Sequence, residues 1–148
     1  MARAPKPRPG AGPKRSLVRT AIALLVQQPA LVHAIQPPYL FGVLRQPGVP
    51  LLMELIALAR ARPDIATGGI LEHFAGREEQ AALEKLSLME FPAAPESWKA
   101  EFLDAMEHLN RHTVQQRIEE LLEKQSAGPL TANEKDELRE ALSAKARR

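Results

Sequence analysis

Of the side chains that could do chemistry in this sequence, histidines come first, because an imidazole changes charge near neutral pH and binds metals. His108 and His112 stand four apart, which on a helix puts both rings on one face. That spacing can grip zinc, but the protease version of the motif needs a glutamate between the two histidines, and the sequence has none there. A third ligand would have to come from elsewhere, so the pair reads as solvated or packed. His73 sits between Glu72 and Phe74 near an expected helix end, where a structural role fits better than acid–base work, and His33 carries no signal. Gly68 and Gly69 lack the Gly-Lys-Ser/Thr continuation of a phosphate-binding loop and read as turn residues. No serine sits in a nucleophile elbow, and no carboxylate cluster resembles a two-metal polymerase centre. The expectation is a chain with no catalytic residue, no metal ligand and no cofactor.

The elements that would position any functional residue read as helices, because apolar residues recur at spacings of three and four and no alternating run appears. Ser16 is placed to cap a helix carrying Leu17, Val18, Ala21, Ile22, Leu24 and Leu25, which must end before Pro29. A helical turn over 30–35 precedes the Pro37 and Pro38 break, and an irregular loop follows over 39–48. Leu51, Leu52, Leu55, Ile56, Leu58 and Ala59 predict a strongly apolar helix closed by Pro63. Thr67 is expected to cap a short helix over 69–74, with Gly76 ending it in a left-handed conformation. Leu83, Leu86 and Leu88 mark another helix over 81–89, and these five pieces should pack as a compact bundle.

Beyond Pro92 and Pro95 the pattern changes. Residues 96–124 run without Gly or Pro, about 40 Å if helical throughout. Trp98, Phe102, Met106 and Leu109 suit the closing of the bundle, whereas the second half offers only Val114, Ile118, Leu121 and Leu122 and must leave it. After a break at 126–129, Thr131 and Glu134 form a capping box for a last helix reaching about Ala146. Its apolar stripe is narrow: Leu138, Ala141 and Leu142, with Leu130 at the entry. At about 25 cal/mol per Å² of buried apolar surface, so few leucines offset only part of the ordering cost of two helices. Such a hairpin is expected to keep apolar surface for helix-to-helix recognition by a partner; the alternative is an ordinary bundle helix packed on the rest. The expected fold class is all-α: a compact N-terminal helical bundle over 16–112, followed by a long helix and a C-terminal helical hairpin over 113–148.

A net charge of +2 over 148 residues conceals an uneven distribution. The first twenty residues hold six of the twenty Lys and Arg and no acid, so the remainder carries fourteen bases against eighteen acids, a net of −4. A nucleic-acid-binding body should present a basic face to phosphates, and this body is mildly acidic. Residues 1–15, basic and rich in Pro and Gly, read as a disordered linker kept soluble by charge, with a DNA-binding arm as the alternative. With 45% apolar and 26% charged residues the rest suits one globular domain. The chain has no cysteine, which fits a reducing cytoplasm, and neither a membrane span nor a secretory signal is expected.

The stretch 65–90 joins two of the expected helices through a turn with distinctive wording: Thr67 and Gly68, then Leu71, Glu72, His73 and Phe74, Gly76, and the block Leu83, Glu84, Lys85, Leu86 and Ser87. Upstream, Lys14 and Arg15 precede Leu24, Leu25, Val26, Gln27, Gln28 and Pro29; downstream, 128–134 reads GPLTANE. Together these segments resemble, in order and spacing, the C-terminal helicase-binding domain of bacterial DnaG-type primases. The resemblance implies a helical bundle and a C-terminal hairpin that docks on the N-terminal region of the hexameric replicative helicase, with the zinc-binding and polymerase modules lying in other parts of such primases. It further implies recruitment of primer synthesis to the replication fork by a fragment that is not itself catalytic. Pattern within the hairpin picks out Leu130, Leu138, Arg139, Leu142 and Lys145 as candidates for helicase contact. A second implied ligand is the acidic, hydrophobic-ended tail of single-stranded-DNA-binding protein. Its candidate site combines the cationic Lys14, Arg15 and Arg19 with Val18 and Ile22, with Leu86 as a wall. The alternative for those residues is ordinary amphipathic packing.

Overall fold

The computed structural model describes residues 16–146, and every described segment of regular structure is helical. Helix α1, Leu17–Gln27, starts where Ser16 Oγ accepts the Arg19 amide at 3.2 Å. It is the centre of the bundle: Ala21 to Val26 are all buried, and α1 packs against α2 (Val49–Ala61), α3 (Thr67–His73), α4 (Gln80–Ser87) and α5 (Trp98–Ala127). A helix apolar on every side needs neighbours on every side. Its exit is tied by polar bonds, since the last carbonyls of a helix need donors. Gln27 Nε2 donates to the carbonyls of Leu86 at 2.9 Å and Met89 at 2.7 Å, holding the end of α4 against the end of α1.

Thr67 departs from expectation. Ala66, not Thr67, occupies the capping position of α3, and no side chain caps that helix; Thr67 Oγ1 instead donates to Val26 O at 2.8 Å. The buried carbonyl near the end of α1 competes for the hydroxyl, and tertiary satisfaction wins over the local cap. Gly76 is left-handed as expected, with φ at 84°, although α3 has ended three residues earlier at His73. Between α1 and α2 the chain forms two 3₁₀ turns, Pro29–Ala34 and Leu40–Val43, so the expected irregular loop holds a turn of helix. Gly48 before α2 has φ at 91° and lies against Val18 and Ile22; a Cβ there would meet Val18 Cγ1 at 2.9 Å.

Helix α5 is one unbroken α-helix of 30 residues, about 45 Å long at 1.5 Å per residue. Phe102, Ala105, Met106 and Leu109 enter the core built by α1 to α4, and Trp98, with its Nε1 donating to Ala93 O at 3.1 Å, lies edge-on to Phe91 at the bundle's other margin. Apolar burial then resumes in a second, separate cluster of Ile118, Leu121, Leu130 and Leu138, edged by Val114 and Ala141. That cluster joins α5 to α6, Ala132–Ala146, which folds back along it. Among the described residues no helix is long and apolar enough to cross a membrane.

Candidate protein-docking surface

The hairpin of α5 and α6 is set by local chemistry at its tip and by charge along its seam. At the tip Gly128 to Leu130 turn the chain, and the capping box forms as its two residue types require: Glu134 N donates to Thr131 Oγ1 at 3.1 Å and Thr131 N to Glu134 Oε1 at 2.9 Å. Lys124 of α5 pairs with the same Glu134, and these donors hold its carboxyl below the ordinary carboxylate range, the Lys124 bond first and the Thr131 amide next. Along the seam Arg117 grips Glu137 with two bonds, Nε to Oε2 at 2.6 Å and Nη2 to Oε1 at 2.9 Å, the fork geometry that gives Arg–carboxylate pairs their specificity. The same guanidinium reaches Glu120 at 3.2 Å. Glu137 is thereby held low by Arg117, and Arg117 is pushed up chiefly by Glu137.

The network continues into the bundle. Arg45 Nη1 meets Glu120 Oε2 at 2.5 Å, and Arg45 ahead of Arg117 holds that carboxyl low. Gln116 makes a two-point clamp on the same loop, accepting Arg45 N at 2.8 Å and donating to Val43 O at 3.0 Å. Single exposed ion pairs contribute little, but this chain of contacts fixes how α5 leaves the bundle. Sequence reasoning missed Arg45, Gln116, Arg117, Glu120 and Glu137. Only Arg117 and Glu120, three apart on one helix, were findable from spacing.

The structure separates the expected site residues into two kinds. Leu130 and Leu138 are buried in the hairpin's own core, Leu138 at 9% exposure, so they hold α6 to α5 and present no surface to a partner. Arg139 and Lys145 are exposed, Arg139 pairing with Asp136 at 3.0 Å, and Leu142 keeps 43% of its surface in solvent. Leu122 on α5 is similarly exposed at 45%. The expected tail-binding residues fare differently: Val18, Ile22 and Leu86 are buried in the bundle core. Packing against the 44–49 segment and α4 claims the face that a helical wheel of α1 alone leaves open. Arg19 is exposed, whereas Lys14, Arg15 and the whole expected linker fall outside the described residues.

The histidine pair is likewise occupied within the chain. His108 Nδ1 lies 2.9 Å from Asp104 O, and His112 Nδ1 lies 3.4 Å from Gln46 Nε2. Among the described residues no group of three His, Asp or Glu side chains could hold a metal ion. Of the large apolar residues left exposed, Leu103, Leu122 and Leu142 lie on α5 and α6 and Leu40 and Val43 on the turn before α2, at 51% and 70% exposure, while Leu88, the most exposed at 81%, follows α4. A surface of this kind is chemistry for protein recognition.

Residues 18–141 match the family described as DNA primase DnaG DnaB-binding. The chain belongs to that family. It is 34% identical to the DNA primase of Salmonella typhimurium over 131 residues, which is 88% of this chain and 22% of that protein. The DNA primase of Escherichia coli is 33% identical over 84% of this chain, again 22% of its own length. A solved structure, the C-terminal domain of DnaG primase from Vibrio cholerae, superposes with a TM-score of 0.74 at 29% identity, covering 86% of this chain and 93% of that one. The chain therefore spans about a fifth of the length of the curated primases it matches and nearly all of the solved domain. The all-α reading and the family resemblance are both shown by these matches.

Proposed function

We propose that this DnaB-binding domain docks on the N-terminal region of the hexameric replicative helicase through its α5–α6 hairpin and so brings primer synthesis to the replication fork. The observation that carries the reading is that the hairpin has a core of its own and still leaves Leu122 on α5, and Leu142 on the same helix as the exposed, cationic Arg139 and Lys145, in solvent. A tethered domain acts by raising the local concentration of whatever is attached to it, so its contribution is binding energy and geometry. On this reading the described part does no chemistry on nucleic acid, in keeping with the net charge of −4 outside its first twenty residues.

The test is a titration of purified replicative helicase into the full chain, followed by calorimetry, alongside Leu142→Glu and Arg139→Glu. Both residues are exposed, so the fold should survive. Binding weakened roughly tenfold or more by Leu142→Glu is expected if that leucine is an anchor. Wild-type chain that shows no heat with the helicase would overturn the proposal.

A further inference from the structure

Beyond the bundle, α5 commits two of its sides: Ile118 and Leu121 enter the hairpin core, and Gln116 and Glu120 bond the 43–45 segment. The third side faces water. At 100° per residue, Arg111, Gln115, Glu119 and Leu122 fall on it within an arc of about 80°, with Glu123 about 40° further round. Toward the bundle end of this side, where α6 finishes against α5, lies a cavity of about 250 Å³ lined by Arg111, His112, Val114, Gln115, Ala144 and Lys145. Val114 and Ala144 give it apolar lining, the methylene stems of Arg111 and Lys145 add to that lining, and no carboxylate is among its residues. Toward the tip, about 10 Å along the helix from Gln115, Leu122 stands beside Glu119 and Glu123 with 45% of its surface in solvent.

One end of this strip is thus a leucine flanked by carboxylates, and the other an apolar cavity flanked by cations. Turned end for end, the strip matches itself. With two α5 helices antiparallel about a two-fold axis at position 117, residue 123 comes opposite 111, residue 122 opposite 112, and residue 119 opposite 115. Each Leu122 then reaches the other copy's cavity, and each Glu123 meets an Arg111. Parallel pairing would set carboxylate on carboxylate and cation on cation. Arg111 already pairs with Glu107 at 3.1 Å and Glu119 accepts from Gln115 at 3.0 Å, but both contacts are exposed and within one helix, so each group can take a second partner. Lys145 and Glu123 hold no ion pair among the described residues. A foreign helix would have to be assumed to carry a leucine and a carboxylate at this spacing, whereas a second copy has them.

We infer that this side of α5 pairs two copies of the chain as an antiparallel, two-fold dimer, each Leu122 entering the other's Val114–Ala144 cavity and Glu119 and Glu123 facing Arg111 and Lys145. From 111 to 126 the helix is about 24 Å long, and one helix-to-helix seam of that length falls short of the roughly 1,200 Å² of a standard stable interface. The dimer is therefore weak and concentration-dependent. Leu122 is also one of the leucines left for the helicase, so a paired copy withholds it from that partner; the pairing itself does not rest on the docking reading.

The experiment is sedimentation velocity of the full chain without helicase, from roughly 10 μM to 1 mM, the range of weak association. Wild type should shift reversibly from monomer to dimer across it. Leu122→Glu should weaken pairing tenfold or more while Leu122→Met stays near wild type, as expected of an apolar anchor, with circular dichroism confirming helix content. Two charge-reversed chains complete the set: Glu119→Lys with Glu123→Lys, and Arg111→Glu with Lys145→Glu. Each carries one sign at both ends of its strip and should stay monomeric alone, and an equimolar mixture of the two should restore the dimer. Wild type that is still monomeric at the highest concentration overturns the inference, as does a dimer that Leu122→Glu leaves intact or a mixture that fails to pair. Should wild type stay monomeric while Leu122→Glu weakens helicase binding in a parallel titration, this side belongs to the helicase: the dimer is then refuted and hairpin docking stands.

Discussion

Replacing Leu138 by alanine should loosen α6 without touching the bundle. Leu138 is one of four residues in the hairpin's cluster, none of which belongs to the core around α1. Buried Leu→Ala changes cost about 2–5 kcal/mol, and a site at 9% exposure on the rim of a small cluster, free to relax, falls near about 2 kcal/mol. With a tenfold change for every ~1.4 kcal/mol, that raises the opening equilibrium of α6 by roughly thirtyfold. The assay is native-state amide hydrogen exchange, which resolves local openings residue by residue. The Ala141 and Leu142 amides should exchange roughly thirtyfold faster in the variant, and those of Leu24 and Leu25 in α1 at their wild-type rates. Equal acceleration at all four amides would refute the reasoning, because it would mean that the two clusters open as one unit. No acceleration at all would show that Leu138 does not hold α6.

Three further outcomes follow from particular contacts. Thr131→Ala should cost the hairpin about 1 kcal/mol, seen as faster exchange in the first turn of α6, whereas Thr131→Ser keeps the oxygen and most of the protection. Gly48→Ala should lower the melting temperature more than Gly76→Ala: both glycines are left-handed, a conformation costing roughly 1–2 kcal/mol for other residues, but only at Gly48 does the new Cβ also press on Val18. Acid should release α6 before the bundle. Carboxyls held low in the folded state contribute stability that is complete above their ordinary value of 4.5 and is lost as pH falls through the lowered one. Glu120, Glu134 and Glu137 serve the hairpin in this way, and Glu54, bonded to Arg77, serves the bundle. Exchange followed from neutrality to below pH 4.5 should therefore show α6 amides losing protection ahead of α1 amides, and simultaneous loss would count against the assignment.

The helices, their order and most of their ends were legible in the residues, because these depend on interactions within three or four positions. Pro29 and Pro63 stop helices by sterics, Ser16 and the Thr131–Glu134 box start them with side-chain acceptors, and the absence of Gly and Pro over 96–124 lets α5 run unbroken. The wording of 65–90 was enough to suggest the family. What periodicity could not reveal is which side of an apolar stripe another element covers. Val18, Ile22, Leu130 and Leu138 carry the same side-chain chemistry as Leu142, yet packing buries the first four and leaves the last in water. Thr67 illustrates the same limit in a polar group, its hydroxyl drawn from a local cap to a carbonyl 41 residues away. The Gln116 clamp and the Arg45–Glu120 pair join residues 71 to 75 apart, and nothing local marks them, since a long-range polar contact exists only once the backbone has brought donor and acceptor within reach.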